Sequence, residues 1–185
     1  VKPSMAPVAA WLALWHVDIR RMVLEREPAL LFRQSLPSAL SLDIRAEVLR
    51  AFVPQYAGKG WCHAGVGHDE LKRVAHSQLS DLVRELWEDA YTGHDSRKLL
   101  LEMIWLTPMP DCADLSLAAA LDNTLEPHHH TYASWGVLAA GNQAQKQDLA
   151  QAVLGSSLPQ RVIRNVLPET VPSLIGLSDF LQLLD

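Results

Sequence analysis

Cysteine is scarce in this chain: Cys62 and Cys112 are the two among 185 residues, and no Cys-x-x-Cys pair exists. That argues against a disulfide framework. Long apolar runs are missing as well. No stretch approaches the ~20 residues needed to cross a bilayer, and no basic segment leads into a continuous apolar core with a small-residue cleavage site. These absences predict a soluble, cytoplasmic protein with no membrane partner. The chain begins with Val1 in place of Met, which predicts a piece processed or cut from a longer polypeptide.

Positive charge is in deficit. Sixteen Lys and Arg face 21 Asp and Glu, giving a net charge of -5 and a pI near 5.9. Such a field repels phosphate, and Arg20, Arg21 and Arg26, or Arg161 and Arg164, form only local patches, so a nucleic-acid partner is not expected. Alternating apolar β-branched runs are lacking, which predicts almost no strand. Also lacking is the Gly-x4-Gly-Lys-Ser/Thr order of a phosphate loop; the glycines from Gly58 to Gly67 do not supply it, so no nucleotide cofactor is expected.

What is present is enough oil for a core. The chain is 49% hydrophobic, sufficient for one domain or a short run of helical units. Val8, Trp11, Leu12, Leu14 and Trp15 lead into Ile19, Met22, Val23 and Leu24, as one long helix or two short ones broken near His16 to Asp18. Pro28 suits the first turn of a short helix carrying Leu30, Leu31 and Phe32. Ser41 can cap the next, whose Ile44, Val48, Leu49, Phe52 and Val53 form a stripe while Arg45, Glu47 and Arg50 face water. Pro54 kinks or ends it.

The tract from Gly58 to Gly67 reads as a long loop and the natural boundary. The organisation expected is an N-terminal helical part at 1–57, a glycine-rich loop at 58–67 and a helical-repeat part at 68–185, together one continuous domain. Beyond the loop, Leu79, Leu82, Val83, Leu86, Trp87 and Ala90 recur at helical spacing, with Gly93 as terminator. Leu99 to Leu106 is apolar nearly all round, as in a helix sandwiched between neighbours. Asp111 starts a helix through Leu121, Pro127 one through Ala140 closed by Gly141, and Gln143 one through Leu154. Val162, Ile163, Val166 and Leu167 make the next, and Ser178 caps a last short one. The fold class is therefore all-α: stacked helical hairpins, as a HEAT/armadillo-like α-solenoid or an irregular helical array.

The reactive side chains do not assemble a motif. Eight histidines are present, and Cys62, His63, His68 and His76 form the densest set of potential metal ligands. His68 and His76 are eight residues apart, a spacing that can share a helix face, but no HExxH or comparable pair supports them, and solvated side chains are the favoured reading. His128, His129 and His130 point about 100° apart on a helix, so all three cannot chelate one ion, and they are expected exposed at a first turn. Cys112 reads as a buried thiol, since Asp111 and Asp114 oppose thiolate formation. Cys62 and His63 are neighbours in sequence only, and Ser156 and Ser157 lack an elbow motif. No catalytic residue is assigned. Of the six tryptophans, five fall in helical stripes and read as packing; Trp61, in the glycine-rich loop, is the candidate anchor for a partner.

The segments AWLALWHVDIRRMVLEREPALLF, LLLEMIWL, PDCADLSLAAAL and PHHHTYASWGVLAAGNQAQKQDLAQAVL resemble the helical region of bacterial STAND-type proteins, in which HEAT-like or armadillo-like helices accompany a NACHT or AAA-type NTPase module. The run His128-His129-His130 departs from that pattern. The resemblance implies a sensor, linker or effector-docking role in a larger signalling or defence machine. The expected function is a non-catalytic helical-repeat interaction module whose partner is a protein or another domain of a longer chain. The alternatives are a structural spacer without its own ligand, and a metal-dependent or thiol enzyme using Cys62, His63, His68 and His76.

Overall fold

The computed structural model describes residues 3–34, 40–56, 66–89 and 93–182. Among them twelve α-helices form and no strand does, so the fold is all-α. The chain divides into two compact units, 1–99 and 100–185. Trp61, Cys62 and His63, with most of the glycine-rich tract, lie outside the described residues.

The first unit holds α1 (Ala6–Trp15), α2 (Val17–Arg26), α3 (Ala29–Gln34), α4 (Leu42–Tyr56), α5 (His68–Val74) and α6 (Ser80–Glu88). It also holds the start of α7 (His94–Leu106), because the division falls inside that helix. The chain breaks between α1 and α2 at His16, whose extended φ of -116° and ψ of 111° end one helix and start the next. α1 packs on α2 and α3, α2 on α4, α3 on α5, and α4 on α6. Phe32 and Phe52 meet in the core with ring centroids 4.5 Å apart, beside fully buried Leu31 and Leu49. Ser41 caps α4 as expected, its hydroxyl accepting the Ile44 amide at 3.3 Å. Pro54 is tolerated inside the last turns of α4. α6 ends at Glu88, short of Gly93.

The last carbonyls of a helix have no intrahelical donor. In this unit, neighbouring helices supply the donors. Arg20 of α2 donates to Ala13 O of α1 at 3.1 Å, and Gln55 of α4 to Leu24 O and Glu25 O of α2 at 3.0 and 3.3 Å. Arg73 of α5 donates to Arg33 O of α3 at 2.8 Å, and the Ser96 hydroxyl of α7 to Val53 O of α4 at 3.3 Å. Arg45 of α4 closes the set by donating to Arg73 O and to Ala75 O, just past α5, and to Leu40 O at 2.9 Å. The helical pattern put Arg45 in water, but it is buried, because its five N–H donors fit a pocket of backbone oxygens that no local pattern reveals. Burial lowers its pKa from the ordinary arginine value.

The second unit holds the rest of α7 with α8 (Ala113–Leu121), α9 (Pro127–Ala140), α10 (Gln143–Leu154), α11 (Gln160–Thr170) and α12 (Leu177–Gln182). Leu100, Leu101, Met103 and Ile104 are wholly buried, as the all-round apolar stretch requires. A 3-10 turn, Pro110–Cys112, precedes α8, so α8 starts after Asp111 and Cys112 lies buried at its N-cap. α8 and α9 make the most extensive pairing, and α9 also packs on α10 and α11. Small residues allow that approach: a Cβ on Gly136 would lie 2.8 Å from Ser116 Oγ and 3.4 Å from an Ile104 methyl.

Here the helix ends are closed locally. Pro127 sits at the start of α9, and the Gly141 amide donates to Val137 O at 2.8 Å. Asn142 and Gln145 form a reciprocal capping box opening α10, with bonds of 3.0 and 2.9 Å. α10 ends through Ser157, whose amide and hydroxyl both donate to Ala152 O, with Ser156 left-handed at a φ of 51°.

Candidate functional site

Among the described residues three places carry chemistry. The first is α1. Its buried side is Ala10, Ala13 and Leu14, while Val8, Trp11 and Trp15 recur every three or four residues on the opposite side and stand in solvent, as does Met5 in the 3-10 turn before it. At 100° per residue the three in the helix fall within an arc of about 60°. Trp11 is 56% exposed and Trp15 63%. This corrects the reading of both as packing residues: α1 is apolar all round, so its sequence fixes no buried side. From Pro3 to Trp15 there is no charged residue. A large exposed apolar stripe without charge marks a contact surface more often than an accident of composition.

Alongside, α2 and α4 border an open groove of about 430 Å³ lined by Val17, Leu24, Ala51 and charges of both signs. Arg20 and Glu47 are already paired across it at 2.7 Å. It therefore offers no excess charge to select a ligand.

The second place is the histidine run at the start of α9, where three consecutive rings take three different roles. His128 is partly exposed and its Nδ1 lies 3.3 Å from the Glu126 carboxylate. His129 is fully buried and its ring lies 4.2 Å from that of His128, tilted by 32°. Glu126, His128 and His129 bring one ligand atom each within 4.8 Å of one another, a two-histidine, one-carboxylate set of the kind that can hold a divalent transition metal. Their rings are closer to stacked than to convergent, and the helix N-terminus opposes a cation.

His130 turns into the core with Nδ1 2.8 Å from Ala120 O and Nε2 3.1 Å from Leu125 O. It ties the end of α8 to the loop before α9, and a neutral ring can donate to only one of those oxygens. The expectation that the run is exposed thus holds for His128 alone. Burial of the other two rests on tertiary partners that the sequence does not display.

Of the sequence-derived ligand set, His68 and His76 lie among the described residues. His68 opens α5 and is exposed, but α5 stops at Val74, so His76 is not on the same helix. His76 Nδ1 accepts the Gln78 amide at 3.2 Å and caps a 3-10 turn instead. Cys62 and His63 lie outside the described residues, as does the proposed anchor Trp61.

The third place was missed by sequence reasoning. Trp105 of α7 meets Tyr132 and Trp135 of α9, with centroids 5.9 and 4.7 Å away; Tyr132 and Trp135 meet edge to face at 5.5 Å. The Tyr132 hydroxyl is hydrogen-bonded to the carboxylate of Glu102, which is buried. Partial burial first, and that neighbouring negative charge second, push the Tyr132 pKa up to about 12. Beside the rings opens a groove of about 300 Å³ lined by Trp105, Trp135, Leu138, Ala139 and Glu169. The i,i+3 pair Tyr132 and Trp135 was visible as a signal, but Trp105 joins them only through tertiary packing.

Comparison with known proteins yields no matching family model, no matching curated protein and no matching solved structure. None of the helices described is long and apolar enough to cross a membrane.

Proposed function

We propose that this chain is a non-catalytic helical interaction module and that α1 is its contact face. The observation that carries the reading is the line Met5, Val8, Trp11 and Trp15, exposed at helical spacing with no charge among them. Such a line matches the seam by which one helix packs along another. Tryptophan side chains contribute most per residue to protein contacts, because each covers a large apolar area at little entropic cost.

The partner is a helix with an apolar seam, from another protein or from another domain of a longer chain. A charged surface would gain nothing from this face. In the setting implied by the resemblance to STAND-type helical regions, that partner is another module of a signalling or defence NTPase.

The test uses a photo-crosslinking amino acid in place of Trp11, of Trp15 or, as a control, of Asp81, which is exposed on α6. Irradiation in cells should give an adduct of one defined mass from positions 11 and 15 and none from 81. An adduct mass of two copies would name the partner as this chain itself. No adduct at 11 and 15, or the same adducts at 81, would overturn the proposal.

A further inference from the structure

The aromatic groove of the second unit has the composition of a cation site. The indoles of Trp105 and Trp135, packed on each other with centroids 4.7 Å apart, line it on one side, and Leu138 and Ala139 complete the apolar lining. Glu169 stands exposed at its edge, and among the lining residues there is no lysine or arginine. Tyr132, in ring contact with both indoles, links the cluster to the buried carboxylate of Glu102. Aromatic faces carry negative quadrupole charge and attract cations, best in the order that puts tryptophan first. This chain already uses that attraction in its other unit, where the guanidinium carbon of Arg97 lies 5.2 Å from the Trp87 ring centroid.

We infer that the groove beside Trp105, Trp135 and Glu169 binds an organic trimethylammonium group. The Glu169 carboxylate and the two indoles, with no cationic side chain among the lining residues, set the sign of the ligand. The lining then sets its type. A metal ion or a primary ammonium is strongly hydrated and needs several oxygen partners, which one rim carboxylate does not provide. A trimethylammonium group sheds water readily and presents methyl groups to the indoles and to Leu138. The volume, about 300 Å³, is at the small end for ligand sites and suits a headgroup of this size. Either a free quaternary ammonium compound or a trimethylated lysine side chain of a peptide carries that group.

The experiment follows the indole N–H resonances of the whole chain by NMR, assigned through Trp105→Phe and Trp135→Phe. The probes are choline, its neutral carbon isostere 3,3-dimethylbutan-1-ol, and one short peptide with either trimethyllysine or plain lysine. Choline should shift the resonances of Trp105 and Trp135 saturably, and the isostere should bind about tenfold more weakly, since it keeps the shape and loses the charge. Glu169→Gln, at an exposed position, should weaken choline about threefold while circular dichroism stays that of wild type. If the trimethyllysine peptide binds more tightly than choline and plain lysine does not, the source is a modified protein; if choline is the tighter, it is a small ion. Equal binding of choline and isostere, or no saturation by either choline or the trimethyllysine peptide up to about 50 mM, would overturn the inference. The result does not depend on α1, so it can fail or succeed apart from the proposed contact role.

Discussion

Both units cap helix starts locally, as Ser41 does for α4 and Asn142 for α10, but they serve the closing carbonyls of their helices differently. In the first, Arg20, Gln55, Arg73, Ser96 and Arg45 each reach from one helix to the closing carbonyls of another, so helices are tied to one another by side chains. In the second, capping is done by residues close in sequence, such as Asn142 with Gln145 and Ser157 with Ala152, and the helices are held by close approach at Ser116 and Gly136. His130 is the exception there, since it serves Ala120 from ten residues away. The difference teaches where each unit is vulnerable: the first to loss of a long polar side chain, the second to added volume.

The largest effect should come from Arg45→Ala, which strips donors from three carbonyls, most of them buried. A loss of about 3 kcal/mol is expected in chemical denaturation, and Arg45→Lys should recover little because a lysine cannot fork between them. Gly136→Val tests the other unit. Its side chain would enter Ser116 and Ile104, costing roughly 2 kcal/mol, and Ser116→Gly in the same chain should return part of that loss. If either variant behaved as its counterpart's unit predicts, the contrast would break.

Alkali should discriminate as well. A Tyr132 phenol whose pKa is raised from 10.0 to about 12 favours folding while protonated. That stability is complete below pH 10 and is lost as the pH rises through 12. Thermal melting between those pH values should fall less for Tyr132→Phe than for wild type. A smaller gain is expected from Ser156→Gly, since glycine takes the left-handed conformation at a φ of 51° without cost; about 0.7 kcal/mol is the scale. Smallest is Trp15→Ala: at an exposed position it should change stability by less than about 0.5 kcal/mol while weakening the adduct formed by a crosslinker at position 11. A large loss would make Trp15 a core residue.

Much of the second unit was legible in the sequence because its signals are local. Pro127 and Gly141 set the bounds of α9 to the residue, and α10 runs from Gln143 to Leu154 as its pattern predicts. The unbroken apolar run before Thr107 announced its own burial. The first unit was less legible. α1 has no polar side, so periodicity could not say that Trp11 and Trp15 face outward, and Arg45 looked solvated because its carbonyl partners lie on other segments. The same reason hid the meeting of Trp105 with Trp135, which tertiary packing alone brings together.

Native-state hydrogen exchange of wild type and Arg45→Ala tests the contrast most directly. If long-range capping binds the first unit and leaves the second to its own packing, amides of α3, α4 and α5 should exchange faster in the variant while those of α8 and α9 keep wild-type rates. Equal acceleration in both sets would contradict it.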